Sequence, residues 1–341
     1  MSNLTVGIAG TAKNTGKTTT MSCLISEIRK STGLTIGLTS IGYDGESFDN
    51  VTGLPKPRID VEPGDIAAIA ETCVRDGCAV LQEVKRTGIS TALGEVVIYR
   101  VTAPGKVILA GANNRRDLST VLQLLRDFTT IVIIDGALNR IVPMVEADCL
   151  IIATGAARTT DITLLAHESN CIVEILSIPE IAEVGNVITS ESILSEVGFK
   201  SLMEKSIGAD TIRINGVIGL QYLEELAGFF KKVLYGKRLI FDDPIKLLIA
   251  GDAIRVHKVL CELNGVNSVL GVAEKNKLLA LTVNPYYPKY RYESADYQAA
   301  YVNSDELLQK ISGSIEIPCF DLIKQGSQGL FSILKQEVPG M

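Results

Sequence analysis

Tryptophan is absent from this sequence, and histidine is scarce, with two residues in 341. A metal centre built from several imidazoles is therefore excluded, and we find no cluster of Cys and His with the spacing of a metal site. A hydrolase of the Ser–His type is also disfavoured, because its nucleophile motif is missing. The sequence therefore predicts neither a Cys/His metal site nor a serine hydrolase.

Long hydrophobic runs are also missing. No uncharged apolar stretch approaches the ~18–20 residues that a membrane-spanning helix needs. The first apolar run, residues 4–10, has no basic region before it and no cleavage signal after it, so we expect no secretion peptide. Seven cysteines are dispersed without a disulfide framework, which indicates reduced thiols. We predict a cytoplasmic protein with no membrane partner.

The chain has no strong excess of either charge. It contains 33 Lys and Arg against 39 Asp and Glu, which gives a net charge of −6. This mild acidity argues against nucleic acid as the main partner. The hydrophobic fraction of 46% and the charged fraction of 21% are typical of a globular protein. At ~150 residues per domain, the length predicts about two domains.

Short apolar runs alternate with amphipathic segments along the chain. Residues 4–9 predict a strand, and four apolar residues then recur at helical spacing: Met21, Leu24, Ile25 and Ile28. The runs 131–134 and 149–153 are continuous and apolar, which is typical of central strands covered by helices. A helix is expected near 65–75. The pattern predicts an α/β fold with a mostly parallel sheet covered by helices on both faces.

A phosphate-binding loop joins the first strand to the first helix. It reads Gly10-Thr11-Ala12-Lys13-Asn14-Thr15-Gly16-Lys17-Thr18-Thr19. Small residues let backbone N–H groups curl around an anion, and the start of a helix favours negative charge. In such a loop Lys17 reaches the β- and γ-phosphates, and the Thr18 hydroxyl binds Mg²⁺. The standard pattern has Gly where Thr11 stands, with Gly10 one position earlier.

The run from Gly10 to Thr18 resembles the loop of the dethiobiotin synthetase and cobyrinic acid amide synthase group. That group belongs to the dimer-prone class of P-loop NTPases with the nitrogenase iron protein and the Min and Par ATPases. The stretch 13–19 is also similar to the molybdopterin-guanine dinucleotide accessory protein. The resemblance implies a bound nucleotide, Mg²⁺ and a homodimer. The second lysine of the Min and Par branch would fall on Ala12; Lys13 either contacts phosphate across a dimer or is a solvated loop residue.

Two acidic residues are candidates for the metal. Asp135 ends the apolar run 131–134, and a carboxylate at the tip of a strand beside a phosphate loop holds Mg²⁺ directly or through water. The resembled group has a Glu-Gly pair at a similar place. In that class an Asp after the second strand positions Mg²⁺ or the attacking water, which here implies Asp44, with Glu46 in reserve. Each acid could instead be a turn residue. The expected catalytic residues are Lys17, Asp44 and Asp135, and the expected Mg²⁺ ligands are Thr18, Asp44 and Asp135.

Other residues bear on the identity of the nucleotide base and of an anionic substrate. Guanine specificity requires an acid after an Asn-Lys pair, and Asn276-Lys277 is followed by two leucines, so ATP is favoured over GTP. Lys56, Arg58 and the pair Arg115-Arg116 could bind an anionic substrate. Six of the ten tyrosines fall within 286–301. That segment is a surface loop, a contact for a partner or ligand, or a platform for bases.

Three functions stay open from the sequence. The first is an accessory or chaperone-like ATPase that couples hydrolysis to a partner enzyme. Segments 12–19, 39–46 and 135–140 resemble a small P-loop protein associated with cobalamin-dependent lysine 5,6-aminomutase, which is thought to help reactivate that enzyme. The second is an ATP-dependent ligase that phosphorylates a carboxylate or carbamate, as dethiobiotin synthetase does. The third is a nucleotide-binding regulator without turnover.

The sequence has no clean linker between domains and no internal repeat. The resemblance extends to about residue 160, and we place a domain boundary between 170 and 210. We predict a nucleotide-binding domain over 1–200 and a C-terminal α/β domain of unassigned role over 201–341.

Overall fold

The structure, a computed structural model, describes residues 3–42, 58–137, 142–192, 194–233, 236–264, 269–292, 294 and 296–338. The strands are β1 (Leu4–Gly10), β2 (Ile36–Ser40), β3 (Ile59–Val61), β4 (Ile66–Ala70), β5 (Val80–Thr91), β6 (Gly94–Ala103), β7 (Gly105–Val107), β8 (Ile131–Ala137), β9 (Cys149–Gly155), β10 (Val187–Thr189), β11 (Thr211–Ile214), β12 (Arg238–Phe241), β13 (Val269–Val272), β14 (Lys277–Asn284), β15 (Tyr286–Arg291), β16 (Asp296–Tyr301) and β17 (Cys319–Phe320). The helices are α1 (Lys17–Thr32), α2 (Arg115–Arg126), α3 (Ile162–Leu176), α4 (Glu196–Lys205), α5 (Leu220–Val233), α6 (Pro244–Leu248), α7 (Ala253–Asn264), α8 (Ser304–Ser312), α9 (Leu322–Gln325) and α10 (Gln328–Gln336).

One large sheet organises the first unit of the protein. Among the described residues it has nine strands, in the order β17-β14-β9-β1-β8-β2-β4-β6-β5. Neighbours from β17 to β4 pair in parallel, and only β4–β6 and β6–β5 are antiparallel. The predicted α/β fold, with a mostly parallel sheet flanked by helices, is confirmed.

The core of this unit lies between the sheet and the helices packed on it. Every residue of β1 and β9 is buried, as expected for strands in the middle of a covered sheet. Helix α1 buries the predicted apolar stripe, which comprises Met21, Leu24, Ile25 and Ile28. Each such side chain contributes about 1.5–3 kcal/mol when fully buried. This packing fixes the start of α1 at the end of β1.

The helix expected near 65–75 is wrong. The run Ile66–Ala70 is strand β4, and a 3₁₀ turn follows at Glu71–Asp76. All five residues of β4 are buried, because the strand pairs with β2 on one side and β6 on the other. Five consecutive apolar residues are compatible with a strand covered on both faces and with a buried helix. The pairing with β2 and β6 shows that this segment is a strand.

The chain divides into two compact units: residues 1–166 with 277–341, and residues 167–276. The second unit has its own parallel sheet, in the order β10-β11-β12-β13. This division differs from the expected boundary at residue 200, because β14 and β17 are strands of the first unit's sheet. Among the described residues, no helix is both long and apolar enough to cross a membrane.

Candidate functional site

The loop between β1 and α1 stands at the centre of the parallel sheet. Strand β1 lies between β8 and β9, and its last residues are buried by both neighbours. The Thr11 amide donates to the Ala153 carbonyl at 2.9 Å, and the hydroxyls of Thr11 and Thr154 lie 3.0 Å apart. The loop is thereby fixed to the end of β9. The motif therefore has the strand–loop–helix setting that phosphate binding requires.

The backbone of the loop leads into α1 without a side-chain cap. Asn14 and Gly16 adopt left-handed conformations, with φ of 63° and 92°. The Thr15 hydroxyl donates to the Ala12 carbonyl at 2.9 Å, which tightens the turn. Gly16 precedes α1 and offers no side chain to cap it, and the first turn of α1 has no acidic residue. The N–H groups and the positive end of the helix dipole are thus available to an anion.

Two of the predicted site residues form an ion pair. Lys17 Nζ lies 2.9 Å from Asp135 Oδ1, and the two side chains are 26% and 24% exposed. The register brings them together, because Ile8 of β1 is paired with Asp135 of β8. A cation and a carboxylate that both reach the mouth of the loop are the groups that a phosphate and Mg²⁺ would engage.

The other predicted residues are placed as follows. Thr18 and Thr19 lie half-buried in the first turn of α1, and Lys13 is exposed at the loop. Asp44, Glu46 and Lys56 lie outside the described residues. Asp44 therefore stays a prediction.

Acidic residues of the protein lie close to the paired arginines at the start of α2. Arg115 Nε donates to Glu146 Oε1 at 2.6 Å. Asn114 caps α2 by accepting from the Asp117 amide at 2.9 Å, and Asp117 places a negative charge in the first turn. These two acids offset the positive charge at the start of the helix. The positive charge of Arg115 at the start of α2 is therefore already offset by protein groups.

One wall of the site comes from the C-terminal part of the chain, which sequence reasoning assigned to a separate domain. Asn284, at the end of β14, donates from Nδ2 to the Asn14 carbonyl at 3.1 Å. The hydroxyls of Thr282 and Thr20 lie 2.7 Å apart in the interior. A pocket beside Gly16 is lined by the start of α1, the end of β14 and α9. The apolar run at 278–283 is typical of a strand, but no local pattern shows that this strand pairs with β9.

The tyrosine-rich segment is a hairpin rather than a loop. Strands β15 and β16 pair antiparallel directly after β14, with Tyr286 opposite Tyr301 and Tyr290 opposite Tyr297. Their rings contact edge to face, with centroids 5.8 Å and 5.1 Å apart. Tyr292 is 90% exposed. The hairpin thus presents aromatic surface next to the strand that supports the phosphate loop.

Comparisons with known proteins give only distant similarity. No family model matches the sequence, and no curated protein matches it. A ParA-family ATPase from Chlorobium tepidum TLS is similar over 100% of this chain and 93% of its own, at 10% identity and a TM-score of 0.30. A pNOB8 ParA bound to nonspecific DNA covers 77% of this chain and 99% of its own, at 13% identity and 0.28. The signal recognition particle receptor FtsY from Elizabethkingia anophelis covers 91% of this chain and 65% of its own, at 12% identity and 0.19. These similarities are too distant to add to what the geometry of the site indicates.

Proposed function

We propose that this protein is a P-loop ATPase that binds ATP with Mg²⁺ at residues 10–19 and acts as an accessory protein to a partner enzyme. The observation that carries the proposal is the pair formed by Lys17 and Asp135 beside the uncapped start of α1. Phosphate oxygens would be held by the N–H groups of the loop and by the Lys17 ammonium.

Asp135 has a second role in this proposal. When Lys17 turns to phosphate, the Asp135 carboxylate loses its cationic partner at 2.9 Å and is left to hold a metal, together with the Thr18 hydroxyl. Mg²⁺ would supply charge neutralisation at the phosphates. Exchange of a lysine for a metal keeps Asp135 paired in both states, which avoids an uncompensated carboxylate at the half-buried mouth of the loop.

The accessory role is supported by the hairpin β15–β16. Its strand β15 begins two residues after Asn284, which bonds to the phosphate loop. Exposed Tyr and Arg side chains are enriched at the centres of protein interfaces, and Tyr292 is 90% exposed. We propose that the hairpin transmits the state of the loop to a bound protein. We propose that the partner is an enzyme whose state changes with ATP hydrolysis, with a cobalamin-dependent aminomutase as the specific candidate.

Phosphate release from Mg·ATP by the purified protein tests the first part of the proposal. We expect slow basal turnover that Lys17→Ala abolishes, with ATP affinity reduced at least tenfold, or about 1.4 kcal/mol. Lys30→Ala is the matched control, because it removes the same charge from the exposed end of α1 about 20 Å away. Normal ATP binding by Lys17→Ala would refute the proposed site.

A second measurement addresses the partner. Tyr292→Ala should leave basal turnover and stability unchanged, because the side chain is almost fully exposed. It should reduce the stimulation of turnover by an added partner enzyme. Stimulation by a small carboxylate or amine metabolite instead would favour a ligase, and tight binding without turnover would favour a regulator.

A further inference from the structure

We propose that Glu174, His257 and Cys261 form a binding site for a divalent transition-metal ion, and that the ion it fits is Zn²⁺. The three residues lie in the second unit, and their ligand atoms are all within 4.8 Å of one another. This site is separate from the proposed nucleotide site and does not depend on ATP binding. The sequence predicts no Cys and His cluster with metal spacing, whereas the structure brings these three residues together.

The placement of the three donors follows from two helices. His257 and Cys261 are four residues apart on α7, so their side chains project from the same face, one turn apart. Glu174 lies near the end of α3 and reaches His257 Nε2 with its Oε2 oxygen. The i,i+4 spacing of a histidine and a cysteine was readable in the sequence. The carboxylate, 83 residues away, was not.

The distance between the thiol and the imidazole matches a metal ion of tetrahedral preference. Cys261 Sγ lies 3.4 Å from His257 Nε2. Two ligands at about 2.3 Å (sulfur) and 2.0–2.1 Å (nitrogen) from a tetrahedral zinc ion are about 3.6 Å apart. The thiol and the imidazole are therefore already separated by nearly the length that the ion requires. Glu174 Oε2 contacts His257 Nε2 directly, so the carboxylate would turn away from the ring to admit the ion.

The convergence of the donors separates this arrangement from a catalytic triad. In a nucleophile–base–acid triad, the nucleophile and the acid contact opposite nitrogens of the imidazole. Here the Glu174 carboxylate and the closer contact of Cys261 both fall on Nε2, while Nδ1 lies 3.9 Å from Sγ. Such an arrangement cannot relay a proton through the ring. It does bring three metal-ligating groups within 4.8 Å of one another.

The charge of the cluster also suits a cation. Glu174 contributes a carboxylate that contacts His257 Nε2. A divalent cation would stabilise the Cys261 thiolate and neutralise this carboxylate. Binding would release the thiol proton to solvent, so that thiolate, carboxylate and metal sum to zero charge.

The chemistry of the donor set selects the metal. A thiolate with an imidazole and one carboxylate suits Zn²⁺ and the softer first-row ions, whereas Mg²⁺ and Ca²⁺ prefer oxygen ligands. Three protein ligands leave a fourth position, and this one faces solvent, since Glu174 is 50% exposed and Cys261 is also exposed. The bound ion would join α3 to α7 within the second unit.

Cobalt substitution in the full-length protein tests the site directly. Metal-free protein, kept reduced and free of nucleotide, is titrated with Co²⁺ while the thiolate-to-cobalt charge-transfer band is recorded. Zinc affinity is then measured by competition with a chromophoric chelator. We expect one thiolate-bound ion per chain. Cys261→Ser should abolish the band, and His257→Ala and Glu174→Gln should each weaken zinc binding at least tenfold.

A double variant, His167→Ala with Cys78→Ser, is the matched control. It removes the other histidine and another exposed cysteine, both outside the cluster, and should bind as the unaltered protein does. Lys17→Ala should also retain the band, which separates failure of this site from failure of the nucleotide site. Circular dichroism of each variant in chelator confirms folding. The proposal is overturned if the unaltered protein shows no thiolate band, if Cys261→Ser retains it, or if the control loses it.

Discussion

Asp135 and Lys17 face each other across the mouth of the phosphate loop, with 2.9 Å between carboxylate and ammonium. The pair neutralises two charges that otherwise would stand half-buried at the end of the sheet. It also means that a nucleotide and a metal bound as we propose would compete with an existing contact. A substitution of either residue should therefore change the contacts that the other can make.

Replacement of Asp135 by Asn separates binding from turnover. Without Mg²⁺, Asp135→Asn should bind ATP more tightly than the unaltered protein, because Lys17 is freed and a negative charge near the phosphates is removed. With Mg²⁺, turnover should fall at least a hundredfold. Isothermal titration with and without the metal, together with phosphate release, measures both effects. Asp127→Asn, an exposed aspartate at the end of α2, should change neither; weaker metal-free binding by Asp135→Asn would contradict the pairing.

Gly16 is a position where a methyl group should disturb both the backbone and the neighbouring strand. Its φ is +92°, and an added Cβ would lie 3.1 Å from Asn284 Cβ. We expect Gly16→Ala to lower the free energy of unfolding by more than the roughly 1–2 kcal/mol of left-handed strain, and to weaken ATP binding. Gly33→Ala isolates the strain, because Gly33 has φ +67° at the end of α1 with nothing within 4 Å of the added atom. Denaturant unfolding and ATP titration compare the two, and equal effects would show that the Asn284 contact is irrelevant.

The contact from Asn284 tests whether β14 supports the nucleotide site. Asn284→Ala removes the hydrogen bond to the Asn14 carbonyl, which should reduce stability by about 0.5–1.5 kcal/mol and also reduce ATP affinity. Asn303→Ala is the comparison, because it removes the cap of α8 at a similar cost in stability. Only Asn284→Ala should change the affinity in an ATP titration. An equal loss in both variants would mean that stability alone sets binding.

The hairpin carries a pH-sensitive ion pair. Hydrogen bonds from Arg291 and Ser294 lower the pKa of Asp296 to about 2. Because this pKa is lower in the folded hairpin than in the unfolded chain, the pair stabilises the hairpin above about pH 4 and is lost as the pH falls through about 2. In Arg291→Ala the pKa of Asp296 should rise toward ~3.9. Carboxyl-carbon NMR titration over the folded range measures it, with Arg116→Ala as a control that should leave Asp296 unchanged.

Much of the proposed site could be predicted from the sequence, because its parts are local. Residues 10–19 form one continuous stretch, and Asp135 ends an apolar run of the kind that becomes a central strand. The features that the sequence did not predict depend on residues far apart in the chain. The sequence predicts a helix near 65–75, but Ile66–Ala70 is a strand that pairs with β2 and β6. The wall provided by Asn284 depends on a strand pairing between β9 and β14, which no local pattern encodes.

The second unit is an insertion in the chain of the first, and this has a consequence for biosynthesis. Strand β9 ends at Gly155 and its neighbour β14 begins at Lys277, so the ribosome must make the whole intervening segment before the two can pair. At roughly 5–20 residues per second that delay is on the order of ten seconds. During it the nascent phosphate loop has no Asn284 to hold the Asn14 carbonyl. Completion of the proposed nucleotide pocket is therefore postponed until the last quarter of translation, and a truncated chain that ends before residue 277 should emerge with an incomplete pocket.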